Sequence, residues 1–241
     1  MESAGPVEER RHTVLRELAL VGLAALTYFG VRNLTVGAAD EALANAEWLV
    51  RLEERLHVAW EEPLQDTLVS NRAAMNLCNW IYIWGHWPVI IVAAITLFRV
   101  RRERYYLLRD AMFLSGAIGF LFFAFFPVAP PRLVDPGLLD TVTLHSNSYR
   151  ALQPPGLTNQ YAAFPSLHFG WNVLVGIVVW GTTRNTLIRT LAVLGPASMG
   201  AAVVLTANHY VLDLVGGLAV VLFSLWVVQR RRRRFPASLP G

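Results

Sequence analysis

The sequence contains no lysine: all 21 of its basic residues are arginine. That absence excludes a Schiff-base lysine, a Walker-type phosphate lysine and any phosphate site built on ammonium groups. Cysteine is almost missing too. Cys78 stands alone, which rules out an internal disulfide, a Cys-based zinc site and an iron–sulfur cluster. Charge is scarce: 16% of the 241 residues are charged, against about 25% in soluble domains. No repeat of 20–50 residues is visible, and the apolar runs are too long and too uniform to alternate as strands. What the chain has in abundance is hydrophobic residues, at 54%. The composition predicts an all-α, polytopic membrane protein with a single domain over residues 1–241.

Crossing a bilayer core takes about 20 apolar residues in a helix. Six runs approach that length, at 18–36, 75–98, 108–127, 166–181, 187–206 and 209–228. They predict a six-transmembrane-helix bundle. The first run also has the outline of a cleaved signal peptide, with Arg10, Arg11 and Arg16 before it and Val36-Gly37-Ala38 after it; it is read here as a retained span.

Sorting charges by alternate connections resolves the net +4. One side carries fifteen arginines and six acids, a surplus of nine. The other carries six arginines and eleven acids, a deficit of five. By the positive-inside rule, the N-terminus (1–17) and the arginine-rich tail (229–241) are cytoplasmic, and the long loops face outward from the cell membrane. The positive charge thus reports topology and gives no reason to expect a nucleic-acid partner.

Two outward segments stand out. In residues 40–70, Trp48, Leu52, Leu56 and Trp60 recur every fourth position, which fits an amphipathic surface helix region. It reads as a packed cap or as a lid over a lipid entrance. Residues 128–165 form a proline-rich loop, long enough to expect a role at a site.

Polar residues near the spans cluster in three motifs: Pro130-Pro131-Arg132, Phe164-Pro165-Ser166-Leu167-His168 and Asn208-His209-Tyr210-Val211-Leu212-Asp213. All fall at outer helix ends. His209 and Asp213 are four residues apart, so a helix puts them on one face. The carboxylate can hold the proton of one imidazole nitrogen and leave the other as a nucleophile. His168 can protonate a leaving oxygen. Arg132 offers a planar fork of donors to phosphate oxygens. Ser166, at a helix start, brings free amides to an anion. The set describes a phosphate-ester site without a cofactor. A metal is not expected, because Arg132 would repel it.

The second and third motifs resemble signatures of the type-2 phosphatidic acid phosphatase superfamily, which also includes vanadium haloperoxidases, sphingomyelin synthases and inositol phosphorylceramide synthases. The resemblance covers about 105–220. It implies a six-helix bundle, a metal-free reaction through a phosphohistidine, His209 as nucleophile, Asp213 as its orienting partner and His168 as general acid. The chain departs from the phosphatase pattern at four places. Phe125 stands where that pattern has lysine, Leu133 where it has proline, Ala202-Val203 where it has Ser-Arg, and Leu167 where it has glycine. Phe-Pro-Ser-Leu-His with Pro-Pro-Arg looks closer to the inositol phosphorylceramide synthase branch, which moves a phosphoryl-linked head group between lipids. The alternative is a lipid phosphate phosphatase that hydrolyses a phosphatidic acid- or polyprenyl-phosphate-type substrate. The implied partners are a lipid phosphate substrate and a lipid or polyol acceptor.

Arg132, Ser166, Leu167 and Tyr210 are expected to bind substrate. Asn76, Asn79, Tyr82 and His86 form one polar stripe on the second run and are expected either to hydrogen-bond between helices or to line a head-group pocket. Tyr149, Arg150, Asn159 and Gln160 are further candidates in the long loop.

Overall fold

The computed structural model describes residues 6–35, 38–145 and 159–234. Among them the chain forms helices joined by turns and loops, with one bridge between Val128 and Ala162. The elements are α1 (Pro6–Thr35), α2 (Ala39–Leu56), α3 (Glu61–Val69), α4 (Arg72–Trp84), α5 (Trp87–Val100), α6 (Arg102–Phe125), α7 (Pro131–Val134), α8 (Thr141–His145), α9 (Leu167–Trp180), α10 (Thr186–Leu205) and α11 (Val211–Arg234).

Every apolar run folds as helix, but among the described residues fewer than the expected six qualify as spans. Among the described residues α6, α10 and α11 are long and apolar enough to cross a membrane. The expected second span is broken. Gly85 and His86 separate α4 from α5, which meet at 44° and add a fourth crossing if counted together. The expected fourth span, α9, has 14 residues. At 1.5 Å per residue it reaches about 21 Å, short of the roughly 30 Å core. The first run lies within α1, whose side chains are described only in part. Helices of this length and composition mark the chain as membrane-inserted.

The short α9 is central and packs on α5, α6, α10 and α11. Leu174 and Val178 of α9 meet Ile90 and Leu97 of α5, Leu108 and Ala111 of α6, and Val221 and Leu225 of α11. Between lipid-embedded helices such contacts act through van der Waals packing, which rewards small residues. Two glycines show it. A Cβ on Gly217 would sit 2.2 Å from the Ser166 carbonyl oxygen, and one on Gly170 would sit 2.9 Å from that of Gly217. Only glycine allows α9 and α11 to touch along their backbones here, which draws their N-terminal ends together.

At the opposite end of the bundle the charges assigned to one side do gather. Arg109 pairs with Glu17 and Asp110, the Tyr105 hydroxyl donates to Glu17 (2.7 Å), and Arg232 donates to Asp110 (2.8 Å). This ties α1, α6 and α11.

The surface segment is amphipathic in the opposite sense to its obvious stripe. Trp48, Leu56 and Trp60 are about half exposed, whereas Ala42, Ala46, Leu49 and Glu53 of α2 and Glu61, Gln65 and Leu68 of α3 are buried. Trp48, Leu56 and Trp60 face away from the bundle, and two alanines, two leucines, a glutamine and two glutamates face in.

Candidate active site

The site begins where α10 ends. Ala207 takes a left-handed backbone conformation, with φ of 52°. Its amide donates to the Val204 carbonyl (2.8 Å) and that of Asn208 to the Val203 carbonyl (3.0 Å). This is the Schellman arrangement, usually built on glycine. The Asn208 side-chain amide donates back to the Thr206 hydroxyl (2.8 Å). The reversal delivers His209 before α11 starts. His209 is therefore in a turn, and only Asp213 is helical, which corrects the expectation of a shared helix face. The pair still meets.

His209 Nδ1 lies 2.8 Å from the Ala163 carbonyl oxygen and 3.2 Å from Asp213 Oδ2. A carbonyl oxygen only accepts, so Nδ1 carries the proton and Nε2 keeps its lone pair. Asp213 is fully buried, and the same Oδ2 accepts the Tyr210 amide at 2.8 Å.

The other motifs are held to this turn by main chain. Val128 exchanges backbone hydrogen bonds with Tyr161 and Ala163, the Arg132 amide donates to the Ala207 carbonyl (3.2 Å), and the Ser166 amide donates to the Asp213 carbonyl (2.9 Å). The Phe164–Pro165 peptide is cis. Three segments distant in sequence thus converge on His209.

Ser166 caps α9, its hydroxyl accepting the Phe169 amide at 3.4 Å. At the second residue of α9, the His168 ring lies 6.0 Å from that of His209 between centroids. Tyr82 stacks on His168 at 4.9 Å, and His86 tilts against it at 4.2 Å. The bend between α4 and α5 brings His86 here. The Asn172 amide nitrogen donates to the His168 carbonyl (2.9 Å) and, being a donor, contacts His86 Nδ1 (3.2 Å) as an acceptor.

The guanidinium of Arg132 donates through Nε to Asp140 (3.1 Å). Among the described residues no carboxylate pairs with its two Nη groups, which leaves that edge for an anion. Asp140 is itself fixed from both sides. Gln65 of α3 exchanges hydrogen bonds with the Leu139 backbone (3.0 and 2.7 Å), and Asn79 of α4 does so with Thr141 (2.9 and 3.0 Å).

The expected stripe therefore divides. Tyr82 and His86 reach His168, Asn79 anchors the loop that holds Arg132, and Asn76 is exposed on α4. The Leu167 side chain fills the notch at Gly119 of α6. Tyr210 is buried with Ala42, Ala46, Leu49, Val128, Ala129 and Ala163. Both side chains are thus engaged in packing. Tyr149 and Arg150 lie outside the described residues. Asn159 accepts the Tyr161 amide through its side chain (3.1 Å), and Gln160 is exposed.

Asp140, Gln65, Asn172, Glu53 and Glu61 escaped the sequence reading. Glu53 was detectable, since Ala42, Ala46, Leu49 and Glu53 follow helical spacing on one α2 face. Among the described residues, no three His, Cys, Asp or Glu side chains converge as a metal-ligand group.

Two imidazoles, a carboxylate and a guanidinium thus lie together at one end of an apolar helical bundle. The sequence model of the PAP2 superfamily matches residues 47–227, and the chain belongs to that superfamily, whose activity is of the lipid phosphatase and phosphotransferase type. No curated protein and no solved structure matched the chain.

Proposed function

We propose that the chain is an integral membrane lipid phosphotransferase. It moves a phosphoryl-linked head group from one lipid to a lipid or polyol acceptor through a phosphohistidine on His209, in the manner of the inositol phosphorylceramide synthase branch. The observation that carries this reading is the contact of His209 Nδ1 with the Ala163 carbonyl oxygen and Asp213, which calls for the proton on Nδ1 and leaves Nε2 as the nucleophile.

In the first step Nε2 attacks phosphorus and a P–N bond forms as the P–O bond to the leaving lipid breaks. His168 gives its proton to that oxygen. In the second step an acceptor hydroxyl attacks phosphorus, the P–N bond breaks, and His168 takes the hydroxyl proton. Arg132, through its Nη groups, and the amides at the start of α9 stabilise the equatorial oxygens. His86 and Tyr82 hold the His168 ring and border the acceptor pocket. No cofactor or metal takes part.

The choice of transfer over hydrolysis rests on charge. Val203, where the phosphatase pattern has arginine, is fully buried, and Phe125, where it has lysine, is largely exposed. Among the described residues Arg132 is then the cation that remains for the substrate, which suits a phosphodiester with one charge better than a monoester with nearly two. The termini are cytoplasmic, and the site opens outward.

The test is a lipid screen on purified protein in mixed micelles, read by mass spectrometry. A new phospholipid formed from a phosphodiester donor and an added alcohol supports transfer. Free phosphate from phosphatidic acid, independent of any acceptor, assigns a hydrolase instead. Unchanged turnover and substrate preference in His86→Ala would remove His86 from the pocket.

A further inference from the structure

α11 begins without a conventional cap. Residues before a helix usually include Ser, Thr, Asp or Asn to accept the first free amides, but Asn208, His209 and Tyr210 are committed to the turn. Asp213 reaches back to the Tyr210 amide, in the manner of a capping box. The next two amides, of Val211 and Leu212, are roofed by the surface segment and need acceptors of their own.

Both acceptors come from that segment. Glu53 Oε1, in the last turn of α2, accepts the Leu212 amide at 2.7 Å. Glu61 Oε1, the first residue of α3, accepts the Val211 amide at 2.9 Å. The two glutamates are 0% and 6% exposed. The same face of α2 also receives the lead-ins to the other motifs. The Ala129 amide donates to the Ala42 carbonyl (3.0 Å), and the Asn45 side chain donates to the Pro127 carbonyl (2.9 Å).

We propose that Glu53 and Glu61 are positioning residues for the His209–Asp213 pair. Together they form a carboxyl clasp that caps the helix carrying Asp213 and makes assembly of the site depend on docking of α2 and α3. The inference rests on the reading of His209 as nucleophile. A carboxylate at a helix N-terminus is favoured by the helix dipole. Glu53 is pushed up to about 9, first by burial, with Glu61 and Asp213 adding repulsion while the Leu212 amide opposes the rise. The titratable groups facing the pair are Asp213 and the Tyr210 phenol on the α11 side and the two glutamates themselves on the α2–α3 side. A protonated Glu53 still offers its carbonyl oxygen to Leu212, so the clasp needs an acceptor more than a charge. The segment thus acts through its inner acidic face, and the tryptophan stripe plays no part in the clasp.

The experiment compares Glu53→Gln and Glu61→Gln, which keep an acceptor oxygen, with Glu53→Leu and Glu61→Leu, which delete it. Two readouts are taken in detergent micelles: amide hydrogen exchange at Val211 and Leu212, and turnover of dioleoylphosphatidic acid and of phosphatidylinositol with an added alcohol. The leucine variants are expected to expose their partner amide and lower kcat about 10- to 100-fold, the range set by small misplacements of reacting groups, with KM within about 3-fold. The glutamine variants restore both. Leucine variants that keep full protection of Val211 and Leu212, or glutamine variants that fail as badly as leucine, overturn the clasp. If a leucine variant does not fold, the glutamine variants decide alone, retained protection supporting the clasp and lost protection overturning it. If wild-type protein turns over neither lipid while the exchange pattern holds, the function proposal fails and the clasp stands.

Discussion

Gly217→Ala tests the close approach of α9 and α11 that sets His209 opposite His168. The new methyl would lie 2.2 Å from the Ser166 carbonyl oxygen and 3.0 Å from its carbon, roughly 1 Å inside ordinary contact. The obstruction is backbone, so no rotamer relieves it and the helices must part. Overpacking of this kind costs about 1–3 kcal/mol. Parting also threatens the Ser166–Asp213 main-chain hydrogen bond, worth about 1 kcal/mol, while alanine returns up to about 1 kcal/mol of helix propensity. The net loss is about 1–3 kcal/mol. Gly22 of α1 has nothing within 4 Å of its would-be Cβ, and Gly22→Ala is the matched control. Thermal unfolding in micelles should show a midpoint lower by several degrees for Gly217→Ala, at about 2–4 °C per kcal/mol for a chain of this size, and unchanged or higher for Gly22→Ala. Equal midpoints for Gly217→Ala and wild type would refute the claim that this contact is as tight as described.

Ala207→Gly should raise stability by about 1 kcal/mol, because glycine relieves the left-handed backbone of the Schellman turn; a lower midpoint would show that Ala207 is unstrained. Asn79→Ala should cost about 1–3 kcal/mol by leaving the buried Thr141 groups unpaired, and hydrogen exchange should rise at Thr141 and its neighbours first. Stability in micelles should fall as pH rises from about 4.5 to 9. Burial raises Glu53 from 4.5 to about 9, so the folded protein holds through that window a proton that the unfolded chain releases. Glu53→Gln should flatten the profile, and an unaltered slope in that variant would assign it to another group.

Helical class, the position of each apolar run and the three motifs were legible in the sequence, because apolar length and motif residues are local features. What escaped came from contacts between distant segments. The break at Gly85–His86 lies in an apolar run with no proline at the bend itself, and its purpose appears only when His86 meets His168. Asn79 looked like a pocket residue because its spacing matched Tyr82 and His86, yet Thr141, 62 residues away, claims its side chain. The stripe of Trp48, Leu56 and Trp60 suggested the packed face of α2, but in a lipid setting large apolar side chains are as well satisfied facing outward. The small residues and Glu53 were then left to face the bundle. His209 read as helical because its spacing to Asp213 is four. The turn at Ala207 gives the same meeting from outside the helix.

The central claim is that His209 is the nucleophile. Protein incubated briefly with 32P-labelled dioleoylphosphatidic acid or phosphatidylinositol, quenched in alkali and mapped by mass spectrometry, should carry alkali-stable, acid-labile label on the peptide containing His209. The label should be discharged by an added alcohol and be absent from His209→Ala. Label that persists in His209→Ala, or product formed at wild-type rate by that variant, would contradict the account.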